Sequence, residues 1–297
     1  MRRLLLGLAA SLCAFTAQAQ EVALTFDDLP AHAALPPGET RVGVTARLIA
    51  ALADAGAPAM GFINGVQTER EPNSAAALDL WRAAGQPLAS HTWSHMRLDD
   101  HSVAAFEADV ARNEPMLKRL MGDEEWRWLR YPYLAEGKTP QQHAEARAML
   151  AKRGYRIAGV TLDFGDWAYN DPYARCVAKG DAAAIAALET RYMAAAEASL
   201  TYARTLSKAA LGREIPLVLL LHAGAFDARM MPRLLAFYRS EGVRFVSLET
   251  ATRDAFYAPD VKSSGEVATT LENAAKTKDV AVPVQGWSVA GLDGVCR

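Results

Sequence analysis

Apolar residues follow two alternating patterns along this chain. Short runs of consecutive apolar residues, typical of buried strands, alternate with segments whose apolar residues recur every three or four positions, as in amphipathic helices. The runs predict strands over 22–26, 59–63, 87–90, 126–131, 156–162, 217–221 and 243–247. The longer segments predict helices over 40–56, 73–85, 99–122 or 102–122, 139–154, 227–242 and 249–257.

Strands that alternate with helices at this spacing are typical of the α/β class, in which crossover helices join parallel strands. About seven such units fit within the chain, fewer than the eight of a complete TIM barrel. In parallel α/β folds, catalytic and binding residues gather just after the carboxyl ends of the strands. Any functional motif is therefore expected at such a position.

Two segments fall outside this alternation. Residues 181–212 are rich in alanine and predict one or two helices inserted between strands. They either pack on the outside of the sheet or form a wall of the substrate cleft. Residues 259–297 are polar at first and later contain three glycines and one proline, which predicts an ordered C-terminal strap rather than a helix.

The first 19 residues have the pattern of a secretory signal peptide. Arg2 and Arg3 precede an apolar stretch too short to span a bilayer, and Ala17-Gln18-Ala19 forms a cleavage site with small residues. An uncleaved membrane anchor is the alternative. The sequence therefore predicts an exported protein, periplasmic or secreted, without stable membrane insertion after cleavage, and a catalytic domain over 20–258.

Composition restricts the class of partner. The 297-residue chain is 51% apolar, and its 32 Lys and Arg against 34 Asp and Glu leave no basic excess that would favour nucleic acid. Signal cleavage would leave two cysteines, Cys176 and Cys296. In an oxidising compartment they are expected to form a disulfide that ties the strap to the segment after Trp167, and two unrelated free thiols are the alternative.

Acidic residues and histidines follow two of the predicted strands. Asp27 and Asp28 end the first strand, and His91 and His95 come after the third. Adjacent carboxylates favour different roles, one as a metal ligand and the other as a base. Histidines four positions apart can bind one metal ion together. Each pattern also occurs in turns and helix starts that bind nothing.

Further polar residues follow the fourth, fifth and sixth strands. Arg130, in the sequence RYPY, can hold a carboxylate with two hydrogen bonds. Asp163, Asp166 and Trp167 come after the fifth strand, and His222 directly follows the sixth. A histidine in that position can act as a general acid or as a further metal ligand.

Taken in order, these motifs resemble those of the polysaccharide deacetylase family, the carbohydrate esterases that include nodulation, chitin and peptidoglycan deacetylases. The matching segments are TFDDLP from Thr25, HTWSH from His91, RYPY from Arg130, DFGDW from Asp163 and LLH from Leu220. The resemblance extends over about residues 22–256. It implies a distorted (β/α) barrel of about seven parallel strands and one divalent metal ion. Zn²⁺ is expected, although a mixed nitrogen and oxygen ligand set also admits Co²⁺, Ni²⁺ and Mn²⁺.

The resemblance also implies a role for each motif residue. The implied metal ligands are Asp28, His91 and His95. The implied general base is Asp27, and Arg130 is expected beside it or beside the acid of the fourth motif. The implied general acid is His222, which Asp166 would orient. The implied substrate contacts are the backbone N–H of Tyr133 with the oxyanion and the side chains of Trp167 and Leu220 with the acetyl methyl group.

The implied activity is removal of N-acetyl groups from an N-acetylhexosamine polymer or oligomer, such as peptidoglycan or an exported glycan. An O-acetyl esterase on acetylated sugars and a sugar-binding barrel without catalysis are the alternatives. Leu29, Tyr131, Leu134 and Ala223 depart from the family pattern. None of them replaces a ligand, base or acid, so they bear on the choice of substrate.

Two other residues have open roles. His32 lies in the loop 29–40, which is predicted to form one rim of the cleft, where the histidine can touch substrate. Trp287 either anchors the strap or stacks on a sugar, and we favour the anchor.

Overall fold

A computed structural model gives the structure of residues 19–258 and 268–297, so the predicted signal peptide lies outside the described residues except for Ala19. Within these ranges, seven parallel strands form one sheet. The strands are β1 Gln20–Leu29, β2 Ala59–Ile63, β3 Leu88–Ser90, β4 Trp128–Leu129, β5 Arg156–Ile157, β6 Leu217–His222 and β7 Val243–Val246. The predicted α/β class is confirmed.

The long strand β1 pairs with three other strands, β2, β6 and β7. The strand order is β5-β4-β3-β2-β1-β6, and β7 pairs with the N-terminal part of β1. Beyond β5, a single parallel bridge joins Leu162 to Leu219 of β6. This bridge brings the two edges of the sheet together, and the sheet therefore curls into the distorted barrel that the family resemblance implied.

Helices surround the sheet. They are α1 Arg41–Asp54, α2 Val66–Arg70, α3 Ala75–Ala83, α4 Val103–Met121, α5 Pro140–Lys152, α6 Asn170–Lys179, α7 Ala182–Leu211, α8 Ala225–Ser240, α9 Leu248–Ala251 and α10 Thr270–Thr277. The side chains of Thr40, Ser102 and Thr139 accept backbone N–H bonds in the first turns of α1, α4 and α5. No helix in the described part of the chain combines the length and the apolar character needed to cross a bilayer.

Apolar side chains fill both the barrel and the space outside it. Ala23 of β1 packs inside the barrel with Phe62 and Val218, whereas Leu24 and Phe26 face the surrounding helices. Because side chains alternate along a strand, the residues that follow Ala23 at every second position continue on the interior face. The strand therefore directs Asp27 into the mouth of the barrel.

The structure corrects several predicted element boundaries. β4 and β5 have two residues each, because the chain leaves the sheet at Pro132 and later crosses to β6. The helix predicted over 73–85 corresponds to α3, which follows a 3₁₀ turn at Pro72–Ser74, and Asn73 does not cap it. The alanine-rich insertion is a single 30-residue helix, α7.

Three helices were not predicted, namely the short α2, α6 and α10. α6 precedes the alanine-rich insertion, and its mostly polar sequence did not lead to a helix prediction. α10 lies within the strap and begins with a capping box, in which Thr269 and Glu272 each bond to the other's backbone N–H. That Thr-x-x-Glu spacing was the sequence signal for this helix.

The expected disulfide between Cys176 of α6 and Cys296 of the strap is present, with the α-carbons 5.2 Å apart. Arg175 also donates hydrogen bonds to the carbonyls of Asp293 and Val295. The last residues of the chain are therefore fixed against α6.

Replacing both Cys176 and Cys296 by serine is expected to lower the free energy of unfolding by about 2–4 kcal/mol, because the bond closes a long loop in the unfolded chain. Urea denaturation of the wild-type protein and the double variant would measure the difference. The wild-type protein in a reducing agent is the control and should behave like the variant. Equal denaturation midpoints for the variant and the oxidised wild type would contradict this prediction.

Candidate metal centre and active site

The two acids at the end of β1 face one cavity, although neighbouring residues on a strand normally point to opposite faces. The pairing of β1 with β2 shifts in register between Phe26 and Leu29, and Asp28 has a φ of 62°, in the left-handed region. Such a bulge re-aims a side chain. Asp27 and Asp28 therefore lie together at the mouth of the barrel.

Asp27 forms a buried ion pair with Arg130, which follows β4. Arg130 Nη1 lies 3.2 and 3.3 Å from the two carboxylate oxygens of Asp27, and Nη2 donates to Thr25 Oγ1 at 3.0 Å. Arg130 Nε donates to the Ala158 carbonyl at 2.7 Å. Burial raises the pKa of Asp27, and the positive charge of Arg130 opposes that rise. Arg130 therefore contacts both oxygens of the Asp27 carboxylate and holds it in one orientation.

Two histidines after β3 direct their Nε2 atoms at Asp28. The distances to Asp28 Oδ1 are 3.6 Å from His91 and 3.5 Å from His95. His91 Nδ1 lies 2.8 Å from the Arg130 carbonyl oxygen, which can only accept, so Nδ1 carries the proton and Nε2 keeps a free lone pair. Burial lowers the pKa of both histidines to about 4, which keeps them neutral at neutral pH.

These three ligand atoms fit a metal ion. A tetrahedral Zn²⁺ with bonds of about 2.0–2.1 Å separates its ligand atoms by roughly 3.4 Å, close to the 3.5 and 3.6 Å observed here. Neutral imidazole and carboxylate are both zinc ligands, and a set of three leaves coordination positions open. Asp28, His91 and His95 therefore form a candidate metal site.

His32 lies inside the site, whereas the sequence indicated only a loop residue at the rim. Its Nδ1 is 2.8 Å from Asp28 Oδ2, and its ring centroid is 4.6 Å from that of His222. Burial disfavours the charged form of the His32 ring. The hydrogen bond to Asp28 and the negative charge of Asp28 nevertheless raise the pKa of His32 to about 9. Asp28, His32 and His222 form a second candidate metal cluster. Because 2.8 Å is a hydrogen-bond distance, the Asp28–His32 contact is not that of two ligands around one ion.

His222, at the end of β6, is held by the fully buried Asp166. The Asp166 carboxylate accepts the His222 backbone N–H at 2.6 Å and lies 3.0 Å from Nδ1. Burial and the charge of Asp163 raise the pKa of Asp166 to about 8, and burial lowers the pKa of His222. The contacts with Asp166 fix the orientation of the His222 ring and leave its Nε2 atom free to face the cavity.

A second buried network, which the sequence analysis did not predict, lies behind the loop that follows His222. Asp227 accepts hydrogen bonds from Asn170 at 2.7 Å and from Tyr192 at 3.0 Å. The amide of Asn170 lies so close to Gly224 that a β-carbon at that glycine would be 2.0 Å from its oxygen. This loop therefore accepts no side chain at Gly224.

The side chains of both acids at the end of β1 and of these four histidines line a cavity of about 370 Å³. Its walls include Trp167 and Tyr133, which are 49% and 52% exposed, and Leu220. Tyr133 has a φ of 59°, and its ring centroid lies 4.4 Å from that of His95. Of the ten residues that the motifs indicated, eight line this cavity, and Arg130 and Asp166 lie behind Asp27 and His222.

Comparison with known sequences points to one family. Residues 16–158 match the family model described as polysaccharide deacetylase. A chitin deacetylase of Pestalotiopsis sp. is 26% identical over 149 residues, which make up 50% of this chain and 44% of that protein. The chain thus matches less than half the length of this curated relative.

Solved structures share the fold at low sequence identity. The family 4 carbohydrate esterase of Streptomyces lividans, in complex with acetate, has a TM-score of 0.51 at 21% identity, and the match covers 79% of this chain and 96% of that one. The chitin deacetylase of Colletotrichum lindemuthianum has a TM-score of 0.52 at 21% identity, over 84% and 93% of the two chains. The chain is thus similar to the polysaccharide deacetylase family over residues 16–158, and it shares the fold of a family 4 carbohydrate esterase.

Proposed function

We propose that this protein is a metal-dependent hydrolase that removes N-acetyl groups from an N-acetylhexosamine-containing polysaccharide or oligosaccharide. The observation that carries the proposal is the convergence of Asp28, His91 and His95 beside Asp27, in the same cavity as His222. Amide hydrolysis needs a polarised carbonyl, an activated water and a proton for the leaving nitrogen. The cavity contains a candidate for each requirement.

Asp28, His91 and His95 would hold the ion, and their nitrogen and oxygen donors make Zn²⁺ our first choice. When bound, a divalent ion supplies Lewis acidity toward a carbonyl oxygen and toward water. The hydrogen bond from His91 Nδ1 to the Arg130 carbonyl would keep Nε2 in position as a ligand. His32, bonded to Asp28 Oδ2, would leave Oδ1 for the ion.

Asp27 would accept a proton from the attacking water. Burial raises the pKa of this carboxyl, which strengthens it as a base compared with an exposed carboxylate. Arg130 would keep the carboxylate in one orientation through the contacts with both of its oxygens. The raised pKa and the fixed geometry both support the role of general base.

His222 would give a proton to the leaving nitrogen, because an amine anion is a poor leaving group. Asp166 would position the ring through Nδ1. The backbone N–H of Tyr133 would donate to the oxyanion, and loss of one such donor typically costs about 3 kcal/mol. Trp167 and Leu220, both in the cavity wall, would enclose the acetyl methyl group.

The proposed location is the periplasm or the cell exterior. The Cys176–Cys296 disulfide supports it, because disulfides persist in oxidising compartments. The proposed substrate is accordingly peptidoglycan or an exported glycan that carries N-acetylated amino sugars.

The purified protein is expected to release acetate from N-acetylglucosamine oligomers or peptidoglycan. A chelator should stop the release, and added Zn²⁺ should restore it. Asp28→Ala should lose at least roughly a hundredfold in rate, since one ligand is missing. Asp79→Ala, which changes an exposed acid on α3, is the control. Acetate release that persists after chelation or in Asp28→Ala would contradict the proposal.

His222→Ala is expected to lower kcat on N-acetyl substrates by about 10²–10⁴-fold. The loss on an O-acetyl sugar should be smaller, because an alkoxide leaves more easily than an amine anion. Parallel assays of acetate release from both substrates would measure the two losses, with exposed His101→Ala as the control. Equal losses would exclude His222 as the acid for the leaving group. A wild-type preference for the ester would favour the O-acetyl esterase instead.

His32→Ala is expected to weaken Zn²⁺ affinity by roughly 10–100-fold, because Asp28 loses the partner that orients its carboxylate. Competition with a chromogenic chelator would measure the affinity without any turnover. His32→Gln keeps a hydrogen-bond donor and should recover part of the loss, and His101→Ala should match the wild type. An unchanged affinity in His32→Ala would show that His32 does not position Asp28.

A further inference from the structure

A second cavity, of about 360 Å³, adjoins the one that contains the catalytic groups. The two cavities share three wall residues, Leu134, Asp163 and Trp167. Trp167 is half exposed at this boundary. A ligand seated in the first cavity can therefore continue past Trp167 into the second.

The second cavity is built by the two parts of the chain that lie outside the strand and helix alternation. Tyr202 of α7 lines one side, and Gln285, Trp287 and Val289 of the strap line another. Arg191 of α7 donates hydrogen bonds to backbone carbonyls of the strap, one of them that of Ala290 at 2.8 Å. These hydrogen bonds hold the strap against α7, so the two segments form a well-defined wall of the second cavity.

The lining combines aromatic rings with hydrogen-bonding groups. Trp287 and Tyr202 meet edge to face, with their ring centroids 5.3 Å apart. The carboxylate of Glu272 accepts hydrogen bonds from Tyr202 at 2.7 Å and from Gln285 at 3.2 Å. A pyranose ring has an apolar face that packs on aromatic rings and hydroxyl groups that need polar partners.

Charge narrows the class of ligand. Within the described residues, the lining contains two carboxylates, Asp163 and Glu272, and it contains no lysine, arginine or histidine. Burial raises the pKa of Asp163, whereas the nearby His222 in the first cavity lowers it. An anionic sugar such as a uronate would be repelled, whereas a neutral or amine-bearing sugar fits.

We propose that this second cavity is a subsite for a neutral or amine-bearing pyranose unit next to the sugar that is deacetylated, with Trp287 as its aromatic contact. The inference rests on the proposed function, since it assumes that the substrate is a sugar chain. It assigns α7 and the strap a role in selecting chains over single sugars. The disulfide at Cys296 then serves function as well as stability, because it holds the strap that carries Trp287.

The test compares kcat/KM for N-acetylglucosamine oligomers of two to six units in the wild type, Trp287→Ala and Trp287→Phe. The wild-type value is expected to rise roughly tenfold from dimer to longer oligomers, and Trp287→Ala should remove most of that rise. Trp287→Phe keeps an aromatic ring and should retain part of it. Val284→Ala, an almost fully exposed strap residue outside the cavity lining, is the matched control and should keep the wild-type rise.

Calorimetric titration with the tetramer gives a readout that does not depend on turnover. The wild type should bind the tetramer roughly tenfold more tightly than Trp287→Ala does, with both proteins folded at the temperature of the titration. A length dependence or tetramer affinity that is unchanged in Trp287→Ala would overturn the subsite. If no oligomer is hydrolysed at any length, the proposed function fails, and the titration alone decides whether the cavity binds a sugar chain.

Discussion

The buried ion pair between Arg130 and Asp27 is the interaction on which the rest of the site depends. The two residues are only 1% and 2% exposed, and removing one partner of such a pair typically costs about 3–5 kcal/mol because the other charge stays buried. Arg130 also acts through its backbone, since its carbonyl accepts the Nδ1–H of His91. One residue after β4 therefore orients both the proposed base and one proposed metal ligand.

A bulge in β1 completes this arrangement by giving two adjacent carboxylates different surroundings. Asp27 faces Arg130, while Asp28, turned by its left-handed backbone, faces three histidines. Burial raises the pKa of Asp27, whereas the bond to His32 and the nearby histidines lower that of Asp28 despite its burial. Carboxylates whose pKa values are pushed apart can serve as a base and a ligand at the same pH.

Periodicity predicted the central strands and the capped helices because burial and capping are local properties of the sequence. β2 and the Thr139-Pro140 helix start appear as the pattern predicted. The motifs identified side chains that gather after the strand ends. Local patterns could not predict that the loop after β1 returns His32 to Asp28, or that the strap meets α7 beside the site. Both contacts depend on how distant segments pack, which neither strand nor helix periodicity encodes.

The position of the bound metal ion tests this account most directly. Crystals grown with Zn²⁺ and measured at the zinc absorption edge should show one ion bonded to Asp28, His91 and His95, with Asp27 still paired to Arg130. Bonds from the ion to His32 and His222 instead, or to Asp27, would contradict the account. Absence of an ion from crystals saturated with Zn²⁺ would contradict it as well.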